Sequence, residues 1–151
     1  MRHGNAENTA DDFYRSLTNF GKKEVLKNTL ELNKQQIIPD LVFYSNALRT
    51  KETFNIFLET TKYKNKSTEK AELYVFFNNA EFLNNFIKPI ENTISTIMFI
   101  GHNPTLSNIL QVLTKQTNIY MNTASIFVLD FDVDNWANIE IETAQIYFSI
   151  N

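Results

Sequence analysis

The chain has 151 residues, 43% hydrophobic and 13% aromatic, with a net charge of −3; that length holds one core, so residues 1–151 are expected to form a single domain. The weak charge gives no broad basic surface for nucleic acid, and the absence of cysteine excludes a disulfide framework. No apolar run is long enough to span a bilayer and no basic-then-apolar leader opens the chain, so the expected setting is cytoplasmic, with no nucleic acid or membrane partner.

In chain order, Thr18 is placed to cap a helix running through Val25, Leu26 and Leu30, with Gly21 tolerated in its first turn. After Pro39-Asp40, the run Leu41 to Tyr44 reads as a buried strand ending at Ser45. A helix follows from Ala47 to Glu59 with Phe54, Phe57 and Leu58 on its inner side. The Lys-rich stretch 62–70 reads as a solvated connection. Leu73-Tyr74-Val75 is expected to be a short strand, Phe76-Phe77 core, and Ala80 to Ile90 a helix capped near Asn79 and closed by Pro89. Ile97 to Ile100 is the second buried strand, breaking at Gly101 into a helix around Leu106 to Leu113. Beyond it Ser125–Phe131, Trp136–Ile141 and Gln145–Ile150 alternate like antiparallel edge strands, the first two around Asp132 to Asn135. The sum is an α/β fold: a three-layer sandwich with a mostly parallel central sheet and a C-terminal antiparallel edge.

The rare residues carry the chemistry. Of 14 basic residues only Arg2, Arg15 and Arg49 are arginine, and His3 and His102 are the two histidines. Arg differs from Lys by a planar fork that holds a carboxylate or phosphate with two parallel bonds. Arg49 follows the first strand, His102 follows the second, and Arg2-His3 precedes Gly4. Ligands of open α/β sheets sit outside the carboxyl ends of strands, where helix starts offer N–H groups to anions. These five residues are expected to converge on a phosphate. A zinc site would need three or four clustered ligands, which two distant histidines and no cysteine do not supply.

Arg2-His3-Gly4 resembles the Arg-His-Gly signature of the histidine phosphatases, the phosphoglycerate-mutase-like superfamily. Arg15-Ser16-Leu17-Thr18-Asn19-Phe20-Gly21 is similar to the Arg-x-Leu-Thr-x-x-Gly stretch of its small SixA-like phosphohistidine phosphatases. Pro39 to Thr50, with Thr53, resembles that group's second strand and Arg-bearing turn. Glu72-Leu73-Tyr74, Ile100 to Pro104, Thr123-Ala124-Ser125 and Asp132 to Trp136 follow in order. The likeness spans nearly the whole chain, and the ordered set is far more specific than Arg-His-Gly alone.

The resemblance implies that His3 is a nucleophile phosphorylated in turnover, with Arg2 and Arg49 on the phosphoryl oxygens. It implies that His102 donates a further hydrogen bond, as a cation beside the bound dianion. Arg15 and the backbone N–H of Asn103 become additional phosphate or substrate contacts, and Glu72 stands near the place of the proton donor in larger members. Such a site works by positioning and electrostatic stabilisation, so no metal or other cofactor is expected. A phosphate or sulfate is expected among Arg2, Arg49 and His102. Larger relatives carry a helical cap; here about ten residues between Thr60 and Glu72 are too few for a lid domain. An open site suits phosphohistidine on a signalling or phosphotransfer protein. The alternatives are a general small phosphomonoesterase and a catalytically weak phosphate-binding regulator.

The resemblance also places an apolar strand before Arg-His-Gly, where this sequence has only Met1. That first strand is expected to be truncated, either because Met1 is an internal methionine and the natural polypeptide begins several residues earlier or because the chain is shortened; if the strand is truly lost, another segment or another molecule must fill its slot. Its gap is expected to lie between Leu41–Tyr44 and Ile97–Ile100, leaving His3 without a rigid support.

Overall fold

A computed structural model describes residues 1–74 and 78–151. Helix α1 (Asn19–Lys34) starts as expected, with the Thr18 hydroxyl accepting from the Gly21 N–H at 2.9 Å. It buries Gly21, Val25, Asn28, Thr29 and Leu32. Leu26 and Leu30, also on this helix, remain 45% and 46% exposed. At 3.6 residues per turn they lie about 100° and 140° from Val25, outside the stripe centred on Val25 and Leu32.

Strand β1 (Leu41–Tyr44) forms as read, and helix α2 (Leu48–Thr61) follows. α2 buries Arg49, Thr50, Thr53, Phe54 and Phe57, while Leu58 turns outward, 39% exposed, against the inner position expected. The Lys-rich stretch is a second correction: Lys66–Glu69 forms strand β2, parallel to β1 with Leu41 opposite Lys66. An edge strand is held by its backbone ladder and tolerates charged side chains, so hydrophobic patterning does not mark it. The expected strand at Leu73-Tyr74-Val75 is instead a 3₁₀ turn over Ala71–Tyr74; Val75 and the expected core pair Phe76-Phe77 lie outside the described residues.

Helix α3 (Asn79–Phe82) is capped by Asn78, one residue before the expected cap, and continues as a wider π-type turn over Leu83–Ile87. Strand β3 (Ile97–Ile100) pairs parallel with β1, Val42 opposite Met98 and Phe43 opposite Phe99. Helix α4 (Thr105–Thr114) leads to strands β4 (Ile126–Asp130) and β5 (Gln145–Ile150), an antiparallel pair. Trp136–Ile141, expected to be a strand between them, holds a 3₁₀ turn at Trp136–Asn138. The Trp136 indole N–H donates to the Ile94 carbonyl and Ile139 is fully buried, so packing rather than strand pleating produces the alternation.

The parallel sheet runs β2-β1-β3, and side chains alternate across it. Val42, Met98 and Ile100 share a core with Val25 and Leu32 of α1 and Phe54 and Phe57 of α2. Leu41 and Phe43 share the other core with Phe82, Phe86, Ile109 and Leu113. These are the three layers expected. Met1 to His3 lie beside the carboxyl end of β3: Gly101 N–H donates to Met1 O at 3.2 Å and His3 N–H to Gly101 O at 3.1 Å. On the other side Arg2 N–H donates to Ser125 O and Ala124 N–H to His3 O, both at 3.0 Å. The place for a first strand is therefore between β3 and β4. It is not between β1 and β3, which pair directly; that expectation is corrected.

Candidate active site

His3 ends the three-residue segment that borders Gly101, and His102 follows directly in the crossing to α4. Arg49 stands in the first turn of α2, just beyond β1. The ring of His3 is buried, with Nδ1 2.7 Å from the Gly4 carbonyl. A carbonyl only accepts, so the proton sits on Nδ1 and Nε2 keeps its lone pair. Arg49 Nε–H donates to that Nε2 at 3.2 Å. His3 is thus fixed through its backbone and its ring, where loss of the first strand was expected to leave it without support.

Two glycines make the fixing turn. A Cβ on Gly4 would stand 2.6 Å from Val25 Cγ2, and one on Gly21 would stand 2.0 Å from the Asn5 carbonyl oxygen. Gly21 is therefore required by the close passage of residues 4–5 over the start of α1, more than tolerated there. Thr18 completes the joint, its N–H donating to Asn5 O at 3.0 Å and its hydroxyl to Asn5 Oδ1 at 2.9 Å. From α2, the Thr53 hydroxyl accepts from Gly4 N–H at 3.1 Å and donates to Arg49 O at 2.8 Å.

The rings of His3 and His102 lie 4.9 Å apart. His102 Nε2 is 2.8 Å from the Ser45 hydroxyl and 3.2 Å from that of Thr50. His102 Nδ1 and Arg2 Nε are buried and have no partner among the described residues. Arg2 Nε is a donor without an acceptor, and His102 Nδ1 is one when Ser45 or Thr50 donates to Nε2; both then complement an anion. Burial, partly offset by the Gly4 carbonyl, pushes the His3 pKa down to about 4, and Arg49 adds to the fall. Burial and then the neighbouring His3 push His102 down to about 3. Burial among cations favours neutral imidazoles at both positions; a bound dianion, beside which a cationic His102 is expected, would favour the charged form.

Arg2 turns its guanidinium to the Met121 carbonyl, 2.9 Å away, and over the Tyr120 ring at 5.8 Å. Asn103 donates to the same carbonyl at 2.9 Å and accepts from the Ser107 hydroxyl at 2.9 Å. Arg15 stands one layer further out, donating to Asp12 Oδ1 at 2.8 Å and to the Glu7 carbonyl. Glu72 is exposed. At three residues per 3₁₀ turn it does not share a face with Tyr74, whose ring meets His102 edge-on at 5.4 Å.

Sequence reasoning missed Asp12. Its backbone carbonyl accepts from Arg49 Nη1 at 2.6 Å and its carboxylate from Arg49 Nη2 at 3.0 Å and from the Tyr74 hydroxyl at 2.6 Å. The Tyr74 bond first, then Arg15, holds the Asp12 carboxyl far below the usual carboxylate range, and Tyr74 is raised in return. Its one sequence signal is the i,i+3 spacing to Arg15. Ser45, Thr50 and Thr53 fell inside the motifs, but their roles depend on contacts that spacing does not display.

No family model matches the chain, and no curated protein matches its sequence. Solved structures do match. SixA of Agrobacterium tumefaciens superposes with a TM-score of 0.84 at 20% identity, over 100% of this chain and 94% of its own. SixA of Nakamurella multipartitia gives 0.85 at 21%, over 100% and 92%. A protein histidine phosphatase SixA complexed with tungstate gives 0.84 at 18%, over 99% and 93%. The chain has the fold of the SixA phosphohistidine phosphatases.

Proposed function

We propose that this chain is a phosphatase working through a phosphohistidine intermediate, and that its substrate is phosphohistidine on a signalling or phosphotransfer protein. The observation carrying this reading is the pinned tautomer of His3, which directs a neutral Nε2 lone pair toward Arg49 and the neighbouring His102. Nε2 attacks phosphorus; the bond from phosphorus to the substrate imidazole breaks, and that imidazole takes up a proton. Water then attacks phospho-His3, releasing inorganic phosphate and restoring the ring. Arg2, Arg49 and the Nδ1–H of His102 stabilise charge on the phosphoryl oxygens, the task a metal performs elsewhere. Arg15 acts through Asp12, which it holds. An imidazole leaving group needs little acid assistance, and Asp12, held ionised, cannot supply it; Glu72 keeps the role of candidate donor only for less able leaving groups.

The substrate class rests on access. The segment after α2 forms β2 and a 3₁₀ turn at the sheet edge, with no domain-sized cap among the described residues, so a phosphate carried on a protein surface can reach the site. Tungstate held by a SixA of the same fold supports an oxyanion here.

Brief reaction with a phosphohistidine protein should leave an acid-labile, base-stable phosphate on His3. H3A should lose both label and turnover, and chelators should leave activity intact. Full activity in H3A, or its loss on chelation, would sink the mechanism. Phosphoserine and small phosphoesters run alongside test the substrate class.

A further inference from the structure

Exposed aromatic rings gather around the candidate site. Tyr14 is 68% exposed, Phe20 64% and Tyr120 60%. A single exposed ring is ordinary on a protein surface; three around one site, from three separate segments, are not. Tyr14 packs edge-on against Phe13, and Phe13 edge-on against Tyr74, the ring beside His102. The Phe13 carbonyl accepts from the Leu48 N–H, which fixes this segment over the start of α2, next to Arg49. Tyr120 stands toward β4, its ring 5.8 Å from the Arg2 guanidinium. Phe20 lies in the first turn of α1, beside the glycine that Asn5 crosses on its way from His3.

Aromatic rings give large, rigid contact areas at small entropic cost, and tyrosine is enriched where protein interfaces bind most strongly. A small phosphoester seated among Arg2, Arg49 and His102 would leave these rings in water. A protein carrying the phosphate would lie across them. The charges around the rings are also divided. Exposed Glu7, Asp11 and Glu72 flank Tyr14: the Glu7 carbonyl accepts from Arg15, the Asp11 carboxylate accepts from the Phe13 N–H, and Glu72 shares a turn with Tyr74. Exposed Lys22 and Lys23 follow Phe20. An asymmetric charge border selects one orientation of a partner.

We propose that Tyr14, Phe20 and Tyr120 form a docking rim for the protein that carries the phosphohistidine. That protein lays basic side chains over Glu7, Asp11 and Glu72 and acidic ones over Lys22 and Lys23. The inference rests on the phosphatase reading and adds to it the surface that selects the carrier. The rim acts on the affinity for a protein substrate, while the chemistry belongs to His3 and its neighbours.

Two substrates separate docking from chemistry. One is a histidine-phosphorylated phosphotransfer domain with lysine beside its phosphohistidine; the other is phosphoimidazole, too small to span the rim. Any effect of Tyr120 on Arg2 alters both substrates alike, so the ratio of their kcat/KM values reads docking alone. In Y14A/Y120A that ratio should fall about tenfold or more, mainly through a higher KM for the phosphorylated domain. Tyr147, exposed on β5 beside Val128 and Leu129 and so down the sheet from Ser125, is the control: Y147A should leave the ratio unchanged. A ratio within about twofold of the parent's in Y14A/Y120A overturns the proposal. So does an equal fall in Y147A, a parent that hydrolyses phosphoimidazole but not the domain, or a parent dimer that Y14A/Y120A dissociates in sedimentation. Turnover of neither substrate by the parent is a failure of the phosphatase reading itself, and the docking rim falls with it.

Discussion

Replacing Arg49 with lysine tests the site most directly. Arg49 is 6% exposed and uses three donors at once: Nε to His3 Nε2 at 3.2 Å, Nη1 to Asp12 O at 2.6 Å and Nη2 to Asp12 Oδ2 at 3.0 Å. A lysine keeps the charge but ends in one ammonium, which cannot span the imidazole and the Asp12 groups together. Loss of one preorganised donor typically costs about 2–4 kcal/mol in the transition state, or roughly 30- to 1000-fold in kcat/KM. The assay is kcat/KM on a phosphohistidine protein and on an aryl phosphate, with circular dichroism to show that R49K is folded. A well-folded R49K within about threefold of the parent on both substrates would refute the fork argument.

Other outcomes follow from the same contacts. The His3 pKa is near 4 in the folded state and 6.5 in the reference state, and that of His102 is near 3. The unfolded chain therefore binds more protons below pH 6.5, and stability should fall as pH drops from about 6.5 toward 4, by a few kcal/mol for the pair. Denaturant midpoints across that range check this, and tungstate should lessen the loss by favouring the protonated rings. G21A should destabilise by about 1–3 kcal/mol or more, because its Cβ would stand 2.0 Å from Asn5 O; a midpoint equal to the parent's would refute the close crossing. T53V should cost about 1–3 kcal/mol in urea unfolding by stranding the buried Gly4 N–H.

The parallel pair β1 and β3 is legible because a central strand is buried on both faces and reads as an unbroken apolar run. β2 is not legible. Lys66 to Glu69 is specified by its ladder to β1, and the side chains of an edge strand record almost nothing of that. Trp136 to Ile141 misleads in the opposite way, alternating without being a strand because its indole and Ile139 fill the second core. Arg2, Arg49, His3 and His102 stood out because the chain otherwise uses lysine. Asp12 has no such contrast among many acids, and its meaning comes from a partner 37 residues away.

Asp12 bears on how this site would receive an anion. Its carboxylate is 54% exposed, yet Arg49, Arg15 and Tyr74 all donate to it. An arriving oxyanion that takes the outer end of Arg49 exchanges with a tethered carboxylate instead of filling a bare cationic hole. Part of the attraction is given up to that internal competitor, so binding is weaker than the basic side chains alone would make it. On the proposed phosphatase reading the same competitor would speed departure: as inorganic phosphate loosens, Asp12 would recapture the guanidinium and oppose rebinding. A carboxylate at the rim would thus trade retention for turnover, the direction a hydrolase needs when its product carries the same charge and shape as the group it holds.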